Sequence, residues 1–112
     1  MKREELYNLL NTILPTYSIG QLGGKINDNC AILRKSSDLP SMSNSYGGWD
    51  NWYIDIYSPK SPLELDKLTK IINDTFKNIN GVEIDSHTTG ESWDYKLHAF
   101  STTMAIRCPR TY

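Results

Sequence analysis

Between Ser61 and Gly81 apolar residues recur at helical spacing. Leu65, Leu68, Ile72, Phe76 and Ile79 share one side, while Asp66, Lys67, Lys70, Asn73, Asp74 and Lys77 fall mainly on the other. Boundary signals bracket the stretch. Ser61 suits the cap position, and Glu64, three residues on, can reach back to complete a capping box. Pro62 fits the first helical position, where its missing N–H costs nothing, and Gly81 fits the left-handed turn that ends a helix. The pattern predicts one helix roughly 28 Å long. Burying its large apolar side chains is worth on the order of 8–15 kcal/mol gross, and backbone ordering cancels most of that. The helix therefore needs a sheet to lie on, and the segments around it read as that sheet.

Before it, Leu6, Leu9, Leu10 and Ile13 mark a first helix over Arg3–Leu14, favoured by Glu4 and Glu5 at its N-terminal end and stopped by Pro15. The turn-rich link that follows has room for a short strand at Tyr17–Leu22. Cys30–Lys35 is apolar at its centre and reads as a strand. Ser36–Gly48 has no period and is rich in Ser, Asn, Gly and Pro, so it reads as a long loop, a kind that is usually functional or disordered. Trp49–Tyr57 alternates cleanly, with Trp52, Ile54 and Ile56 against Tyr53, Asp55 and Tyr57.

After Gly81, the stretch Val82–His87 alternates again, Thr89–Ser92 supplies a turn, and Trp93–Arg107 reads as a last strand with His98, Phe100, Thr102, Met104 and Ile106 on one face. A strand that long would span about 45 Å, more than the ~35 Å width of a compact domain of this size. It must either bend at a bulge or project. The order of elements gives an α+β class: a mainly antiparallel sheet, an N-terminal helix and one long central helix packed on one face, and a C-terminal hairpin.

At 112 residues the chain is the length of one domain, spanning 1–112, and long enough for a core without staples. A net charge of -1 provides no basic face of the kind nucleic-acid binding needs. Seven Tyr and three Trp are a large aromatic share for a small domain and point to contact with a partner. Met1-Lys2-Arg3-Glu4-Glu5 leads into an amphipathic segment, so no secretion signal is expected, and no run approaches a membrane span. Cys30 and Cys108 are therefore expected to be reduced and partly buried.

Catalytic patterns are sparse. His87, His98, Cys30 and Cys108 are four possible zinc ligands with no zinc-like spacing. No feature argues for a Cys–His nucleophile pair. Gly23-Gly24-Lys25 lacks the rest of a phosphate loop and reads as a turn. Asp50, Asp55, Asp85 and Glu83 read as solvated strand positions. The aromatic group Trp49, Trp52, Tyr53, Tyr57, Trp93 and Tyr95 reads as core and subunit interface, since no basic residues are interleaved with it. No enzyme activity, cofactor or metal is expected.

The whole pattern resembles the small tail-terminator (tail-completion) proteins of long-tailed bacteriophages and prophage elements. The resemblance covers nearly the whole chain and is one of architecture. It rests on a helix opening near Leu6-Tyr7-Asn8-Leu9-Leu10, a strand and a long polar loop, the strand Trp52-Tyr53-Ile54-Asp55-Ile56-Tyr57-Ser58 running into Ser61-Pro62-Leu63-Glu64-Leu65, and the final hairpin. It implies a structural virion protein that forms a ring, typically of six copies, on the last tail-tube ring and offers its other face to the head–tail connector or neck. Partners would then be other copies of the chain, the tube protein and the connector, with DNA passing through the lumen but no sequence-specific nucleic-acid binding and no membrane. The setting would be the virion, and the bacterial cytoplasm during assembly. The contacts such a role needs fall on Leu39, Met42 and Tyr46 of the loop, on Trp49, and on Trp93 and Tyr95 of the hairpin. Two alternatives stay open. One is a head-completion or head–tail adaptor ring of the phage neck. The other is a small α+β enzyme or ligand-binding module, with His87 and His98 as its first suspects and a concave pocket as its mark.

Overall fold

The computed structural model describes residues 2–35 and 49–109, the side chains at 49, 85–89 and 109 excepted. The elements run α1 (Arg3–Asn11), β1 (Thr16–Tyr17), β2 (Cys30–Lys35), β3 (Trp49–Ser58), α2 (Pro62–Phe76), β4 (Glu83–Asp94) and β5 (Ala99–Pro109). The strands form one sheet in the order β1-β2-β3-β5-β4. Only the β1–β2 pair is parallel. The class is α+β, as the pattern predicted.

β3 is the spine of the sheet. It pairs with all of β2, from Cys30↔Tyr57 to Lys35↔Trp52, and runs in unbroken register along β5 from Trp49↔Pro109 to Ser58↔Phe100. Its alternation sends Trp52, Ile54 and Ile56 to one face, where they are buried with Leu33, Met104 and Ile106 beneath Leu6 and Leu10 of α1 and Leu65, Leu68, Ile72 and Phe76 of α2. Ile79 packs at the edge of this core, half-buried. On the opposite face a smaller cluster of Ile26, Cys30, Leu97 and Ala99 closes one end of the sheet, with Tyr17, Leu22 and Tyr57 around it.

Both helices are shorter than their periodicity. α2 begins as expected, with Ser61 Oγ accepting from the Glu64 N–H at 3.4 Å. The box is one-sided, because the Glu64 carboxylate faces Asn29 Nδ2 at 3.5 Å. The helix ends at Phe76, five residues before Gly81. Asn78 Nδ2 donates to the Asp74 carbonyl at 3.0 Å, and the chain descends through tight turns at Ile79 and Val82. Gly81 has a φ of 85°, used in that descent instead of a helix cap. α1 stops at Asn11, three residues short of Leu14. The Thr12 hydroxyl donates to the Leu9 carbonyl at 2.6 Å, and Asn11 Oδ1 accepts from the Thr16 N–H at 2.9 Å, which turns the chain ahead of Pro15. The short strand expected at Tyr17–Leu22 is present only as Thr16–Tyr17.

The hairpin differs most from expectation. Thr89–Ser92 is not a turn: β4 continues through it to Asp94, and the turn lies at residues 95–98. The long last strand is thus two strands. β4 takes eleven steps from Glu83 to Asp94 where β5 takes eight from Arg107 to Ala99, and the excess is absorbed in register shifts between Asp85 and Thr89 and between Thr89 and Ser92. The polar, Gly-containing stretch marks these irregularities. Phe100, Thr102, Met104 and Ile106 do share the helix-side face, but His98 sits in the turn.

Replacing Phe76, fully buried beneath the sheet, by Ala should lower the unfolding free energy by about 3–5 kcal/mol. Asp66→Ala, on the exposed side of the same helix, should change it by less than about 0.5 kcal/mol. Urea unfolding followed by tryptophan fluorescence distinguishes the two.

Candidate interaction surface

The turn that closes the hairpin has neither Gly nor Pro. Asp94 shapes it: one carboxylate oxygen accepts from the backbone N–H groups of Lys96 and Leu97, each at 2.9 Å. His98 completes it with a φ of 52°, unusual for a side-chain-bearing residue. Leu97 points inward and is buried among Ile26, Cys30 and Ala99, and its carbonyl accepts from the Ile26 N–H at 3.1 Å. The tip is therefore anchored to the domain by one buried side chain and one backbone hydrogen bond, and shaped by two N–H bonds to Asp94.

The neighbours of that anchor point outward. Tyr95 is 82% exposed and Trp93 39% exposed. Trp93 stands edge-on to Phe100, with ring centroids 4.9 Å apart, and edge-on to His98 at 6.3 Å. These contacts restrict the indole while leaving part of it open, so the tip presents a pre-ordered Trp93 beside a largely exposed Tyr95.

Other expected contacts fall elsewhere. Leu39, Met42 and Tyr46 lie outside the described residues, and Trp49 opens β3 opposite Pro109. His87 lies on β4 in the stretch whose side chains are outside the description. Trp52 is core at 3% exposure. The absence of bases near the aromatic residues does not hold in space: the Arg3 guanidinium lies 4.9 Å from the Trp52 ring centre, Lys35 Nζ 5.5 Å from it, and Arg34 4.5 Å from that of Tyr53.

Nor are all the strand acids solvated. Asp55 takes Arg34 Nε at 2.7 Å on one oxygen, and Arg34 Nη2 at 3.3 Å and the Thr103 hydroxyl at 2.7 Å on the other. Asp50 is 8% exposed with Lys35 Nζ 3.4 Å away. Both partners come from β2, next to β3 in the sheet but distant in sequence, so spacing along the chain carried no sign of them.

A concavity of about 510 Å³ opens over Asn51, Tyr53, Glu83, Ala105 and Arg107, at the end of the hairpin away from the tip. Arg107 Nε donates to the Glu83 carboxylate at 2.8 Å, so the charged groups at its rim face each other. Among the described residues no group of three His, Cys, Asp or Glu side chains is placed to hold a metal ion, and no helix is long and apolar enough to cross a membrane.

Cys30 and Cys108 are both buried and are not joined in a disulfide. Burial, aided by the Asp28 carboxylate, pushes the Cys30 thiol up to about 11. Such a thiol holds its proton at neutral pH and is a poor nucleophile. Burial also raises the Tyr57 phenol to about 12, with the Asp55 and Asp94 carboxylates adding to the effect. No protein-family model, curated protein or solved structure matches this chain.

Both raised groups are neutral acids that the fold keeps protonated. Their contribution is complete below the unfolded values of 9.0 for the thiol and 10.0 for the phenol, and is lost as pH rises through about 11 and about 12. The urea midpoint should fall across that alkaline window. Tyr57→Phe should remove the higher part of the fall and leave the lower part, which unfolding curves collected at a series of alkaline pH values will show.

Proposed function

We propose that this chain is a structural assembly protein of the tail-terminator kind. In this reading, copies of it close into a ring on the end of a tail tube, stop its growth and provide the surface on which the head docks. The observation that carries the reading is the anchored hairpin tip, which holds Trp93 and Tyr95 exposed on a small, well-packed domain.

The physics of a terminator favours such a design. The ring must match a tube of fixed geometry, so its subunit has to be stiff. Here β3 is paired along its whole length to β5, and one face of the sheet lies under two helices. The ring must also bind without driving forces of long range. A net charge of -1 leaves apolar and aromatic contacts to supply affinity. Residues that are already ordered lose little entropy on docking. The strand that runs through a short link into a capped helix, followed by a hairpin, supports the same reading.

Negative-stain microscopy of a lysate from phage lacking this gene tests the role. The expected result is abnormally long or ragged headless tails. Tails of normal length beside empty or leaking heads would refute it and move the protein to the head side of the neck. In the complete phage, Trp93→Ala combined with Tyr95→Ala should lower the yield of joined particles at least tenfold, measured by particle counts.

A further inference from the structure

Asn80 and Gly81 are the central residues of the turn that takes the chain from α2 to β4. The Val82 N–H donates to the Ile79 carbonyl at 3.3 Å, and Gly81 has a φ of 85° beside a negative φ at Asn80, which makes the turn type II. Both central residues are exposed. The turn's own bond uses the Val82 nitrogen, so the Gly81 nitrogen lies outside it. Gly81 also has no side chain to keep a neighbouring group away from that nitrogen. The nearest asparagine in sequence is in the opposite condition. Asn78 Nδ2 donates to the Asp74 carbonyl at 3.0 Å, and the nitrogen that follows it donates to the Phe76 carbonyl at 3.1 Å. That nitrogen belongs to Ile79, whose branched side chain crowds it.

We propose that Asn80 is a site of spontaneous covalent modification, where the link between α2 and β4 ages from asparagine to aspartate and isoaspartate. Asparagine is a thermolabile residue, and here the following nitrogen is open to its side chain. The Gly81 nitrogen gives up its proton to water or hydroxide and attacks Asn80 Cγ. A C–N bond forms, the side-chain nitrogen leaves as ammonia, and the two residues share a cyclic imide. Water then opens the ring. Addition at Cγ gives aspartate, and addition at the main-chain carbonyl gives isoaspartate, in which the main chain runs through the side-chain carbon. Nothing is oxidised or reduced: water is consumed and ammonia released.

The two products differ in what they do to the fold. Ile79 and Val82 flank the pair, and both pack against the main core. Aspartate leaves the main chain between these anchors as it was. Isoaspartate adds a carbon to it, so the anchors cannot both keep their places around the same turn. Isoaspartate therefore loosens the link between the central helix and β4, the edge strand of the sheet. The chemistry is independent of any assembly role.

Peptide mapping of the purified full chain, held folded in a warm, mildly alkaline buffer, tests the site. Trypsin releases residues 78–96 as one peptide, which contains both Asn78 and Asn80. Fragment masses should place the gain of an amide-to-acid change on Asn80 and not on Asn78. Labelling of this peptide by an isoaspartyl methyltransferase should rise in step. It should fall in a slightly acidic buffer, where less of the Gly81 nitrogen is deprotonated, and vanish in Asn80→Gln, whose longer side chain closes the ring poorly. Conversion at Asn80 in urea but not in the folded chain, or conversion at Asn78 as fast as at Asn80, would overturn the site. The deamidated fraction, separated by its added negative charge, should have a lower urea midpoint than Asn80→Asp, which has the charge without the extra carbon. Equal midpoints in a fraction that labels as isoaspartate would overturn the loosening of the link.

Discussion

The packing of α2 on the middle of the sheet is the interaction on which the other features depend. Leu65, Leu68, Ile72 and Phe76 share one core with Ile54 and Ile56 of β3 and Met104 and Ile106 of β5. Each such side chain contributes on the order of 1.5–3 kcal/mol when fully buried, and together they set the relation between the helix and the two longest-paired strands. Because β3 leads directly into α2 through a short link capped by Ser61, the helix is laid back over the strand that precedes it. β5 then joins the same core from later in the chain, which completes the floor on which α2 lies. The hairpin tip is held where it is because β5 is held.

Much of this was readable in the sequence, for a physical reason. Amphipathic periodicity reports a one-sided environment, and every element of this fold except the tip has one. The face assignments in β3, the core stripe of α2 and the single-layer helix packing followed from that alone. The ends of elements did not, because helix ends depend on local polar groups competing for backbone. Asn11, Thr12 and Asn78 all form such bonds, and each helix ends near them. The hairpin failed for a different reason. Trp93 to Phe100 alternates polar and apolar residues as a strand does, yet Asp94 can bind the backbone N–H groups two and three residues on. A carboxylate turn leaves no mark on hydropathy, and a Gly within a distorted strand looks like one at a turn.

The candidate surface was partly legible. Trp93 and Tyr95 stood out as large aromatics in an exposed-looking hairpin, and both are exposed. The outward stripe of α2 was hidden by the stronger inward one: Leu63 and Ile71 are only two apolar residues on a charged face. Asp50 and Asp55 were misread because strand pairing decides whether an acid meets a base. Arg34 and Lys35 reach them only once β2 lies beside β3.

That last point separates the surfaces available for binding from those already satisfied. The open face of the sheet carries the most polar and aromatic groups, but they bind one another: Arg34 stacks on Tyr53 while it chelates Asp55, which also receives Thr103. Covering such a network removes water from groups that gain no new partner, so it contributes little affinity. The tip and the α2 stripe are in the opposite condition. Their apolar groups, Trp93 and Tyr95 at the tip and Leu63 and Ile71 on α2, are in water. Burial of those side chains gains hydrophobic free energy. With a net charge of only -1, affinity for any partner is best served by patches of that kind.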